Sequence, residues 1–133
     1  MHPIAQFPWT ALATLLALAV YFVAGLQVGR ARGTYSVKAP AVVGHPAFER
    51  AFRAQQNTLE WMPLFLPALW LFALAVSDAW AAALGLLWAV ARLGYVLAYA
   101  SAAEKRGPYF GAQAAIFAVL WIGALVGAAR ALV

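Results

Sequence analysis

The stretch FERAFRAQQNTLEWMPLFLPALWLFALAV, Phe48 to Val76, decides how this chain is read. From Trp61 to Val76 it is apolar, yet too short to cross a bilayer, which takes about 20 helical residues. It spans only if the helix starts earlier, in the polar segment that opens at Phe48. That start draws Arg53, Asn57 and Glu60 partly into the membrane. Their spacing of i, i+4, i+7 places all three on one helix face. Such a stripe is costly near lipid unless its groups are paired or line a wet cavity. Two readings follow: a structural ion pair at a helix end, or a polar ligand held between helices at one membrane face.

The remaining sequence agrees with a membrane protein. Of 133 residues, 66% are hydrophobic and only 10% charged, too little polar surface for a soluble domain of this size. Mean hydropathy is +0.82. Further apolar runs lie near Trp9 to Val28, Ala79 to Ala100 and Tyr109 to Leu132. The predicted fold is an all-α membrane protein, a bundle of four transmembrane helices forming a single domain over residues 1–133. No Lys or Arg precedes the first apolar run, so the first helix is expected to be retained rather than cleaved as a signal peptide.

The net charge of +5 sorts by position. Arg30, Arg32, Lys38, Arg50 and Arg53 surround the first connection, and Lys105 and Arg106 mark the third. The second, at Ser77 and Asp78, carries no basic residue. The positive-inside rule then puts the first and third connections in the cytoplasm and both termini outside. Topology accounts for the basic balance, so nucleic acid is not an expected partner. The absence of cysteine excludes disulfides and thiolate chemistry from the chain itself. His2 and His45 are too few for a metal cage, and no metal is expected.

Local signals add detail. Arg30 to Ala47, with Gly33, Pro40, Gly44 and Pro46, is predicted to be one long irregular loop. Asp78 is expected to cap the third helix, and Pro108 suits the first turn of the fourth. Pro63 and Pro67 predict a kink beyond the polar stripe. Gly123 and Gly127 are compatible with close helix contact, within a subunit or between subunits. Trp9, Trp61, Trp80 and Trp121 are expected to act as interfacial anchors.

The third helix supplies a second polar face in ARLGYVLAYASAAEKR, Ala91 to Arg106. Tyr95, Tyr99 and Arg106, spaced i, i+4, i+11, align if the helix continues to Arg106. Glu60 lies about 10 Å deeper than Arg53, and Tyr99 about as deep below Arg106. The two faces therefore meet at matched depth, as a cleft open to the cytoplasm. Guanidinium forks at Arg30, Arg32, Arg53 and Arg106 suit carboxylates, and Glu60 suits an ammonium. The complement is a small zwitterion with carboxylates at its ends. Arg92 is expected to make a structural bond to a helix carbonyl or carboxylate.

The pattern of Glu49, Arg50, Arg53, Ala54, Asn57, Glu60 and Pro63 resembles the signature of the MAPEG family of membrane-associated proteins in eicosanoid and glutathione metabolism. The resemblance extends to YFVAGLQVGRARGTYSV and to the third-helix segment. It implies a homotrimer with glutathione as co-substrate, bound between neighbouring subunits. It further implies that Arg53 and Asn57 hold the γ-glutamyl carboxylate and Glu60 the ammonium. Arg32 and Gln55 of the adjoining subunit would hold the glycine carboxylate, Tyr95 and Tyr99 would line the site, and Arg106 would stabilise the thiolate. Gly33, Trp61 and Ser101 depart from the pattern of the leukotriene-forming members, which points away from a leukotriene substrate. The expected function is a membrane glutathione transferase, with possible peroxidase activity, that attacks hydrophobic electrophiles in detoxification at a bacterial inner membrane. The alternative is a non-catalytic scaffold binding lipid or glutathione.

Overall fold

The structure is a computed structural model and describes residues 2–133. Among them, the chain forms four long helices: α1 (Pro8–Tyr35), α2 (Pro46–Ala75), α3 (Asp78–Ser101) and α4 (Gly107–Arg130). Short 3₁₀ turns at Pro3–Gln6 and Ala103–Arg106 precede α1 and α4. Each long helix has the length and apolar composition to cross a membrane. α2 and α3 pack on each other and on both α1 and α4.

The buried positions follow helical spacing. On α1 they are Ala13, Ala17, Val20, Ala24, Val28 and Ala31. On α2 they run Phe48, Ala51, Ala54, Thr58, Met62, Phe65 and Leu69. Lipid tails are as apolar as these side chains, so burial alone does not drive association in a bilayer. Small residues act instead by letting backbones approach and van der Waals contacts accumulate. The centre is a parallel stack of Phe65 on Trp88, with ring centroids 3.8 Å apart. Gly123 and Gly127 face inward to the same subunit: a Cβ at Gly123 would strike Phe72, and one at Gly127 would strike Ala75. Their contact is thus between α4 and α2 of one chain.

Three features differ from the sequence expectations. First, α1 continues to Tyr35, so the connection spans only residues 36–45. The helical register of Val28 and Ala31 simply carries on, and Gly33 has open space beside it. Ser36 ends the helix in the left-handed region at φ 55°. Arg32 then ties the loop down, its Nη1 donating to the carbonyls of Val37 at 3.2 Å and Ala41 at 2.7 Å.

Second, Asp78 does not cap its own helix. Ser77 caps α3, its hydroxyl accepting from Trp80 N at 3.3 Å. The Asp78 carboxylate instead accepts from the first-turn amides of α1, Thr10 N at 2.8 Å and Trp9 N at 3.2 Å. A carboxylate there satisfies orphan donors and meets the positive end of the helix dipole. The α1 N-terminus supplies no side-chain cap of its own, which makes this long-range cap the substitute. The network continues from Thr10 O to Thr14 Oγ1 (2.8 Å) and from Thr14 Oγ1 to Trp70 Nε1 (3.1 Å).

Third, Trp61 is not an interfacial anchor. It is half-buried and packs edge-on to Phe110 and Phe117, with centroids 5.7 and 5.4 Å away. Trp9, Trp80 and Trp121 are exposed, as an anchoring role requires. α2 continues through Pro63 and Pro67, and both prolines line an apolar groove of about 370 Å³ with Leu71, Phe117 and Trp121.

Candidate functional site

At the end of the bundle opposite Asp78, the helices enclose a polar cleft of about 330 Å³. α2 contributes Arg53 and Asn57, α3 contributes Tyr95 and Tyr99, and Arg106 and Phe110 complete the lining. Arg53 and Asn57 reach it because the α2 positions next to them, Ala54 and Thr58, are fully buried. The polar stripe therefore sits at the border between core and surface. None of the described residues lining the cleft is acidic.

Arg106 arrives by a different route from the one its spacing suggested. α3 stops at Ser101, where Ala102 turns extended at φ −160°. Arg106 is carried by the 3₁₀ turn that follows, directly before the Gly107-Pro108 start of α4. Its guanidinium carbon nonetheless lies 4.6 Å from the centroid of the Tyr99 ring, a cation–π geometry that fixes it at the cleft edge. Tyr95 stands 5.7 Å from Tyr99 and 6.2 Å from Phe110, ring to ring.

Below the cleft lies Arg92, fully buried. It does make a structural bond, but to a side chain: Nη1 donates to Asn57 Oδ1 at 2.8 Å. Its guanidinium carbon is 4.4 Å from the Tyr95 ring and 5.6 Å from that of Trp88. The i, i+3 relation of Arg92 to Tyr95 was the sequence signal for this contact. Phe110 had no such signal, because its place depends on how α4 docks.

The other predicted site residues lie outside this cleft in their own chain. Glu60 is exposed, and the turn below Asn57 is occupied by Trp61. Gln55 turns toward α1, where a Cβ on Gly25 would stand 3.3 Å from its Nε2. Arg32 is engaged with the loop carbonyls and with Phe48, whose ring centroid is 4.7 Å from its Cζ. One chain thus brings together Arg53, Asn57, Tyr95, Tyr99 and Arg106, and separates Arg32, Gln55 and Glu60 from them.

Guanidinium forks, phenols and an amide around one apolar-backed cavity form a donor-rich site for an anionic ligand. Fold and site together define an integral membrane four-helix protein with a cationic cleft at one end of the bundle. The chain belongs to the MAPEG family, whose match covers residues 10–126. It is 45% identical to an uncharacterized protein of Synechocystis over 89% of this chain and 86% of that one. It is 42% identical to microsomal glutathione S-transferase 2 of Homo sapiens, over 79% of this chain and 71% of the relative. Leukotriene C4 synthase of Rattus norvegicus is 39% identical over 84% of this chain and 75% of its own length. These relatives place the chain in a family of glutathione-related membrane enzymes.

Proposed function

We propose that this protein is a membrane glutathione transferase that activates the thiolate of glutathione for attack on hydrophobic electrophiles. The observation that carries the reading is the gathering of Arg106, Tyr99, Arg53 and Asn57 around one cleft. Arg53 and Asn57 bind the γ-glutamyl carboxylate, and Tyr95 and Tyr99 flank the peptide. Arg106 stands by the sulfur. A guanidinium within hydrogen-bonding reach favours the thiolate over the thiol. The thiol proton leaves to solvent, and a sulfur lone pair forms the new S–C bond. The leaving group, or an opening epoxide oxygen, takes the electron pair of the bond that breaks. With a hydroperoxide, two glutathiones instead give one disulfide while the peroxide is reduced to alcohol and water.

Glu60, Arg32 and Gln55 stand apart from the cleft of their own chain, which suits a homotrimer in which a neighbour completes each site. Arg32 and Gln55 then hold the glycine carboxylate across the interface, and Glu60 the ammonium. The basic first and third connections favour a cleft open to the cytoplasm at a bacterial inner membrane. The electrophile arrives from the bilayer. Ultraviolet difference spectroscopy on detergent-purified protein tests the reading, with a thiolate band expected on adding glutathione and a conjugate on adding a chlorinated nitroaromatic. Native mass spectrometry should show three copies. Absence of both band and conjugate would refute the transferase reading and leave the lipid-binding scaffold in its place.

A further inference from the structure

The side chain of Asn57 is ambiguous by itself. Its amide carries an oxygen that accepts and a nitrogen that donates. Which end meets the cleft decides which ligand group it can hold. The ambiguity is removed from behind, by Arg92. Nη1 of Arg92 donates to Asn57 Oδ1 at 2.8 Å. A guanidinium has donors only, so reversing the amide would set donor against donor. With its oxygen engaged in the core, Asn57 has its NH₂ end to offer to the cleft it lines.

Arg92 is itself held in place. It is 0% exposed, and the rings of Tyr95, Trp88 and Trp61 surround its guanidinium at 4.4, 5.6 and 5.9 Å. Its Nε and Nη2 have no hydrogen-bond partner among the described residues, so the bond to Asn57 is its anchor in the core. A buried charge is costly and persists where the surroundings hold it.

We propose that Arg92 is a positioning residue that locks the Asn57 amide with its NH₂ toward the cleft and so dedicates that position to a carboxylate. The identity of the carboxylate, that of glutathione, rests on the functional reading above; the locked amide does not. Arg92 touches no ligand in this scheme. It acts through Asn57 alone.

A double-mutant cycle on the full-length protein in detergent tests this. Arg92→Met keeps bulk and removes the donor, and glutathione should bind about tenfold more weakly, the loss of one charge-assisted hydrogen bond's ordering. In an Asn57→Ala background the same change should cost nothing further. Equal losses in both backgrounds would overturn the proposal, since Arg92 would then act by charge or fold. Arg92→Lys retains a donor and should recover most of the affinity. Asn57→Asp preserves folding by pairing with Arg92, yet turns an acceptor to the ligand; parent-like binding by this variant would also defeat the idea. A ligand-free readout separates the two levels of inference. The side-chain NH₂ resonances of Asn57, identified by their loss in Asn57→Ala, should move in Arg92→Met. If they do not move, the locking is wrong whatever glutathione does. If they move but the parent binds no glutathione, only the functional reading falls.

Discussion

The two ends of this bundle treat polar groups in opposite ways. At the Asp78 end, short side chains satisfy one another: the carboxylate caps α1, Thr14 receives Trp70, and Thr10 binds back to the Asp78 carbonyl at 3.4 Å. At the other end, Arg53, Arg106, Tyr99 and Asn57 converge on a cavity instead. A closed network stabilises a fold, whereas donors aimed at a shared space await a partner from outside. The difference locates the site without reference to any relative.

Mutations should respect that division. The largest effect is expected at Arg106. Arg106→Ala should slow conjugation at neutral pH about a hundredfold, as loss of a donor to a developing anion does elsewhere. Glutathione affinity should change only a few-fold, and higher pH should restore part of the rate by deprotonating the free thiol. Steady-state kinetics across pH, with the thiolate band followed alongside, checks this; an unchanged rate would move the role to another arginine.

Next comes the closed end. Asp78→Ala removes both acceptors for the α1 amides and should cost about 2 kcal/mol of stability. Thermal unfolding in detergent should show the loss, with conjugation by the folded fraction at parental rates. Impaired catalysis without lost stability would erase the contrast between the ends. Glu60→Gln sharpens it from the other side. Glu60 shares the stripe with Arg53 but lies off the cleft of its own chain, so a roughly tenfold loss of glutathione affinity by titration calorimetry would show that ligand or neighbour completes the site. The smallest effect is expected for Trp70→Phe, which forfeits one neutral hydrogen bond to Thr14 and should lower stability by about 1 kcal/mol without touching binding.

Most of the fold was legible because membrane helices advertise themselves through length and apolarity. The facing of Arg53 and Asn57 toward Tyr95 and Tyr99 was legible for the same reason: period and depth depend on the helix alone. What escaped depends on tertiary docking. The extension of α1 through Gly33 was hidden because glycine and arginine clusters resemble loop signals. Asp78 looked like a cap for its own helix, since a cap in trans leaves no local trace. Arg106 reached its expected ring by way of a broken helix, an outcome that regular spacing cannot foretell. Trp61 read as an anchor because its two phenylalanine partners lie on another helix, about 50 residues away in sequence.

The 3₁₀ turn that carries Arg106 has a consequence for how such a protein diversifies. Most of the cleft is mounted on rigid rods whose residues cannot be inserted or deleted without rotating a whole helix face. The turn is different, because it is a joint between rods. One residue added there would advance the guanidinium by about 2 Å while leaving α3 in register. The reach of the charge toward a sulfur, and with it the size of electrophile that fits between them, is therefore adjustable by chain length. In this architecture, insertions and deletions at residues 103–106 are the natural route to a new substrate, and substitutions on the helices are the slower one.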